Sequence, residues 1–253
     1  MRYAWLLLSL LFAAETHGAD PAAQVSLTPQ WNAALPGDTR WQDQAGRAVL
    51  LQTLTRGHPT LLVLAYYHCP MLCPRLLHAL ADALRTAGFG KDTDLRVVVL
   101  SIDPRDTVAV AQAAHSRFVV RAGLSPDRVH FLTGPATSSE RVAAAVGIRY
   151  AYDGEHGEYA HPAVYILADE QGRVARYLQA FSTGAADLRL ALADVASGTP
   201  PDLWTQALLL CYAYDPDTGR YTLAIQTILR MAGLLTVASL VGLFLWQRKR
   251  SRP

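Results

Sequence analysis

Two continuous apolar runs, residues 61–67 (LLVLAYY) and 95–102 (LRVVVLSI), constrain this chain most. Neither alternates apolar with polar residues, as a strand with one wet face would; both read as strands buried on two faces. Between them Leu76, Leu77, Leu80, Ala83 and Leu84 fall at helical spacing, and the pattern stops at Gly88. Strand, helix and doubly buried strand make a parallel crossover unit, which requires a sheet covered by helices.

The rest of the chain extends the alternation. Asp43-Gln-Ala-Gly46 reads as a turn and residues 47–54 as a strand, broken at Thr55-Arg-Gly-His-Pro59. Asp106 or Thr107 caps a helix that runs to about Val120. Residues 129–132 are a short strand, and a helix opens at Ser138 or Ser139 and stops at Gly147. Residues 163–167 and 174–178 flank the turn Asp169-Glu-Gln-Gly172 as a hairpin, and residues 185–195 form a last helix. The predicted fold is α/β and thioredoxin-like: a central mixed sheet flanked by helices, with an N-terminal hairpin extension.

With 51% apolar residues among 253, the chain can bury a core without disulfides to hold it. Part of that apolar content lies at the ends. Residues 1–20 place Arg2 before an apolar run and then small and polar residues, the layout of a secretory signal peptide. Residues 228–246 are nineteen residues with one charge, Arg230, long enough for a hydrocarbon layer of ~30 Å. Trp246 suits the interface, and Arg248, Lys249, Arg250 and Arg252 suit the cytoplasmic side. The expected organisation is a signal peptide over 1–20, the folded domain over 21–200, a connector over 201–222, a transmembrane helix over 223–247 and a basic cytoplasmic tail over 248–253. This places the domain on the periplasmic side of the inner (cytoplasmic) membrane, tethered by a single C-terminal pass. Asp215-Pro-Asp-Thr-Gly219 marks a turn in the connector. The net charge of +2 gives no footprint for nucleic acid, and no nucleic-acid partner is expected.

The first strand runs into Ala65-Tyr-Tyr-His-Cys-Pro-Met-Leu-Cys-Pro74. With Cys69 closing the strand and Cys73 in the first turn of the next helix, Pro70 and Pro74 fit where amide protons have no intrahelical use. Residues four apart share a helical face, so both sulfurs can converge on one point. A helix N-terminus is expected to lower the thiol pKa. Such a pair suits thiol–disulfide exchange and soft-metal binding alike, and the pair alone does not choose. A third cysteine, Cys211, makes the count three, which argues against a purely structural disulfide framework.

A third ligand would decide more. Two thiolates and an imidazole suit copper, since thiolate holds Cu(I) and imidazole helps accommodate Cu(II); structural zinc usually takes a fourth protein ligand. Of eight histidines, His58, His115 and His130 show no pattern pointing to the pair. His68 should point away from Cys69 if the strand's alternation continues, and His78 reads as part of a solvated helix face. His156 and His161 lie in or after a polar loop, YDGEHGEYAHP, that leads into the strand AVYIL. In a thioredoxin-like fold that loop lies beside the cysteine turn, which makes His161 the best placed.

YYHCPMLCPRLL, LSIDPRDT, FLTG…VGIRYAYD and AHPAVYIL…GRVARYL resemble, in order and spacing, the Sco/SenC family of copper-delivery proteins. The resemblance spans roughly residues 41–195. It implies a thioredoxin-like fold that binds copper, as Cu(I), Cu(II) or both, through Cys69, Cys73 and His161. It also implies a role in assembling the dinuclear copper centre of cytochrome c oxidase, with the copper-centre subunit as partner and the chain as metal donor, thiol reductant or both. Asp103 in SIDPRDT reads as a residue supporting the site or as a simple turn former. Three features depart from the family pattern: the anchor at the C-terminus, Pro162 after the histidine, and Cys211. That last residue reads as a buried hydrophobe, an auxiliary thiol or an intermolecular disulfide former. The alternative function is a thiol–disulfide oxidoreductase in which Cys69 attacks and Cys73 resolves the mixed disulfide. A structural disulfide in a scaffold comes last, because so short a loop adds little stability.

Overall fold

The computed structural model describes residues 24–69, 72–89, 94–199, 214–215, 220–221, 231, 233–237 and 239. In chain order the elements begin with β1 (Ser26–Leu27), β2 (Arg40–Gln42), β3 (Ala48–Leu50), α1 (Leu51–Thr55), β4 (Thr60–Ala65), α2 (Leu72–Ala87) and β5 (Arg96–Ser101). They continue with α3 (Val108–Ala122), β6 (Val129–Leu132), α4 (Ala136–Ala145), β7 (Ile148–Arg149), β8 (Ala151–Asp153) and β9 (Glu158–Ala160). The domain closes with β10 (Val164–Ala168), β11 (Val174–Gln179) and α5 (Ala185–Ala196).

The central sheet has the order β11-β10-β4-β5-β6. β4, β5 and β6 are parallel, with Leu61 opposite Val97 and Val97 opposite Val129. β10 runs antiparallel to both β4 and β11. Every residue of β4, β6 and β10 is buried, which is why the sequence shows continuous apolar runs there rather than alternation. Two successive right-handed crossovers in one direction put α2 and α3 on one face, and α2 packs against both α3 and α5.

The mixed sheet flanked by helices agrees with the expected architecture, and the N-terminal hairpin is present as β2–β3, with Trp41 opposite Val49. Residues 47–54 depart from the strand predicted there: the chain turns at Leu50 into the one-and-a-half-turn helix α1. Tertiary contacts hold that short helix, since the Leu51 and Gln52 amides donate to the carbonyls of Thr39 and Gly37 at 3.1 and 2.9 Å. The connector's turn carries a short antiparallel pair, with Tyr214 opposite Tyr221. The signal-peptide segment, Cys211 and most of the expected membrane span lie outside the described residues; among those described, no helix is long and apolar enough to cross a membrane.

Candidate functional site

In an open α/β sheet, loops that leave the carboxyl ends of parallel strands meet in a crevice beside the sheet. Here β4 lies between a parallel neighbour, β5, and an antiparallel one, β10. The carboxyl ends of β4 and β5 therefore share an edge with the amino end of β10, because Leu62 pairs with Ile166 and Thr60 with Ala168. Three loops converge there: Tyr66–Cys69 after β4, Ile102–Asp106 after β5, and His161–Ala163 before β10.

β4 ends at Ala65, so three residues of turn separate it from Cys69. Cys73 is the second residue of α2, in the first helical turn as predicted. Both cysteines are buried and stand as thiols. The Cys73 amide donates to Cys69 Sγ at 3.4 Å, and the Tyr66 hydroxyl also bonds Cys69. Cys73 Sγ lies 3.4 Å from His161 Nε2. His161 Nδ1 is 3.2 Å from the Pro162 carbonyl. A carbonyl only accepts, so Nδ1 carries the proton and Nε2 presents its lone pair to the sulfur. The His161–Pro162 peptide is trans, as are all peptide bonds among the described residues.

The electrostatics differ from the expectation for Cys73. Its hydrogen bond to Cys69, then burial, then the neighbouring sulfur's charge push its pKa strongly up. The helix N-terminus does not overcome two adjacent buried thiols competing for one charge. Burial lowers the pKa of His161, which keeps the imidazole in its neutral, ligating form. Binding a cation between these groups must release a thiol proton, so such binding strengthens as pH rises.

The loop after β5, with Asp103 and Asp106 buried, positions the others. Asp106 Oδ2 accepts from the Tyr67 amide at 2.7 Å and from the Ser101 hydroxyl at 2.6 Å. Its Oδ1 lies 2.5 Å from His68 Nδ1, so His68 turns to Asp106 instead of continuing a strand's alternation. Asp103, the supporting carboxylate suggested by sequence, clamps Arg105 at 2.9 and 2.7 Å. Burial opposes ionisation of Asp103, but the Arg105 bonds outweigh it and hold the pKa low. Arg105 reaches on to the Tyr152 hydroxyl at 3.2 Å and the Gly157 carbonyl at 3.1 Å. Both groups belong to the β8–β9 hairpin, which leads directly to His161. Tyr159 of that hairpin packs edge-on against Tyr66, with ring centroids 5.8 Å apart.

The structure thus brings Cys69, Cys73 and His161 to one place. No group of three His, Cys, Asp or Glu side chains among the described residues is arranged to hold a metal ion as it stands. Two candidate donors touch, and the third is one hydrogen bond away on the same turn. His78 is exposed on α2 and helps line a cleft of about 50 Å³ beside Cys73 and Phe118. His156 pairs with Asp153 at the hairpin tip, His58 pairs with Asp94, His115 lies 3.0 Å from the Val129 carbonyl, and His130 is buried in β6.

A mixed sheet that presents two thiols and an imidazole at the end of its central strand defines an α/β domain built for thiol or soft-metal chemistry. The chain belongs to the SCO1/SenC family, whose model matches residues 30–195. Among solved structures, copper-bound ScoI from Bradyrhizobium japonicum is 25% identical, with a TM-score of 0.50 over 66% of this chain and 99% of that one. Copper-bound ScoI from Arabidopsis thaliana is 22% identical, with a TM-score of 0.54 over 65% and 99%. BsSco, described as carrying a disulfide switch and as a member of the Sco family of cytochrome c oxidase assembly proteins, is 20% identical with a TM-score of 0.51 over 68% and 97%. No curated protein gives a significant match.

Proposed function

We propose that this chain is a membrane-tethered copper chaperone that binds copper as cargo through Cys69, Cys73 and His161. It would help assemble the copper centre of a cytochrome c oxidase, with that oxidase's copper-centre subunit as recipient. The observation that carries this reading is the 3.4 Å approach of Cys73 Sγ to the lone pair of His161 Nε2, beside a second thiol. Soft sulfur with one imidazole suits copper in either of its common oxidation states, and a three-donor site leaves room for an incoming ligand to take the ion. The copper-bound relatives support the choice of metal. The apolar C-terminal segment followed by basic residues supports anchoring in the inner (cytoplasmic) membrane with the domain on the periplasmic side, and the N-terminal segment supports export.

The second reading, a thiol–disulfide oxidoreductase, rests on the contact of the Cys73 amide with Cys69 Sγ at 3.4 Å and on the disulfide switch described for BsSco. Titration of the full chain, thiols reduced, with copper separates the two. One copper per chain with a thiolate-to-copper charge-transfer band, severely weakened by His161→Ala, is expected of the chaperone. If copper merely oxidises the pair to a disulfide, and His161→Ala does the same, the oxidoreductase reading replaces it.

A further inference from the structure

The turn before Cys69 holds a histidine for which the three-donor site has no use. His68 Nδ1 lies 2.5 Å from Asp106 Oδ1. The Asp106 side chain is 0% exposed, whereas that of His68 is 54% exposed. Asp106 anchors the turn without this contact, because its other oxygen takes the Tyr67 amide and the Ser101 hydroxyl. Closing the remaining valence of the carboxylate needs only a donor, which a glutamine would supply. An imidazole adds a second nitrogen. With Nδ1 turned to the carboxylate, Nε2 is the nitrogen that faces outward, and among the described residues nothing bonds it. A carboxylate bonded to the far nitrogen is the arrangement that fixes the tautomer and raises the basicity of metal-ligating histidines. The two sulfurs are poor landing points by contrast, since Cys69 and Cys73 are 8% and 2% exposed.

We propose that His68 is a capture ligand: its exposed Nε2 takes copper first and passes it to Cys69, the next residue, from which it reaches Cys73 and His161. The proposal rests on the copper reading of the site. In the hand-over a Cu–N bond breaks and a Cu–S bond forms, the Cys69 thiol proton leaves to water, and the ion keeps its oxidation state, so no electron moves. His68 then speeds loading without belonging to the final site.

Stopped-flow mixing of the reduced full chain with Cu(II), without oxygen, follows the charge-transfer band. In His68→Gln, whose amide still donates to Asp106, the band should reach its wild-type height about tenfold or more slowly, with an unchanged unfolding midpoint. A wild-type rate overturns the proposal, and so does a lost final band in a folded variant, since His68 would then be a resident ligand. A second readout avoids loading altogether. With Cys69 and Cys73 both changed to serine, one equivalent of Cu(II) should show imidazole nitrogen in pulsed EPR. That signal should vanish with His68→Gln and survive His161→Ala, and the reverse pattern overturns the proposal. A wild-type chain that develops no band defeats the copper reading itself and takes the proposal with it.

Discussion

Replacing Asp106 with alanine tests whether one buried carboxylate holds the cysteine turn. Its side chain is 0% exposed and takes three bonds, at 2.7 Å from the Tyr67 amide, 2.6 Å from the Ser101 hydroxyl and 2.5 Å from His68 Nδ1. Each bond to a charged acceptor contributes about 1.5–3 kcal/mol, and an orphaned buried donor costs about 1–3 kcal/mol. The three bonds share one acceptor and do not add, so the loss expected for Asp106→Ala is about 3–5 kcal/mol. Asp106→Asn keeps a carbonyl oxygen for both the amide and the hydroxyl and loses the charge and the acceptor for His68, so it should cost about half as much. Urea unfolding of the full chain with copper chelated reads both values from the midpoint, provided the slope is unchanged. An alanine variant within about 0.5 kcal/mol of wild type, or one no less stable than the asparagine variant, would refute the argument.

Two further outcomes are expected. Burial, with Arg96 nearby, lowers the pKa of His130 from 6.5 to about 4, so between those pH values only the unfolded chain takes the proton. Stability should be unaffected above pH 6.5 and fall by about 3 kcal/mol as pH drops toward 4, a slope that His130→Leu should flatten; identical slopes would contradict it. Gly147 has φ +68°, and an added Cβ would collide with the Thr28 carbonyl. Gly147→Ala should therefore destabilise the domain by at least about 2 kcal/mol, and a wild-type thermal midpoint would show that β1 shifts aside freely.

Much of the sheet was legible because burial on both faces imposes a composition that survives without context. The runs at 61–67 and 95–102 contain β4 and β5, and β6 occupies residues 129–132 as read. Elements defined by distant partners were not legible. α1 needs the Thr39 and Gly37 carbonyls, and β1 exists only because Ser26 meets Arg149 across the molecule. The β8–β9 hairpin looked like a polar loop, since its strands are three residues long and its turn is Gly154-Glu-His-Gly157. The missed signal was aromatic spacing: Tyr152 sits opposite Tyr159 across the pair. At the site, topology let the placement of His161 beside the cysteines be read, because a strand antiparallel to β4 must begin where β4 ends. Of the two caps the sequence offers for α3, Asp106 and Thr107, it is Thr107 that accepts the Val110 amide, at 3.4 Å, which leaves the Asp106 carboxylate for the cysteine turn.

The six residues Ser101–Asp106 join the two halves of the site by different physical means. On the sulfur side, Asp106 is buried and one of its oxygens takes the Tyr67 amide and the Ser101 hydroxyl while the other meets the half-exposed His68, so the turn before Cys69 is tied to the sheet through a buried carboxylate. On the nitrogen side, Asp103 acts through Arg105, whose side chain is 55% exposed, and exposed pairs contribute little stability. Three-residue strands do not hold a hairpin alone either. The Arg105 bonds to Tyr152 and Gly157, its stacking 5.2 Å over the Tyr152 ring and the ring contacts of Tyr159 with Tyr66, Tyr150 and Tyr152 orient the hairpin more than they strengthen it. One short loop thereby sets the distance between cysteines and histidine, holding the sulfur side by buried groups and the nitrogen side by exposed ones.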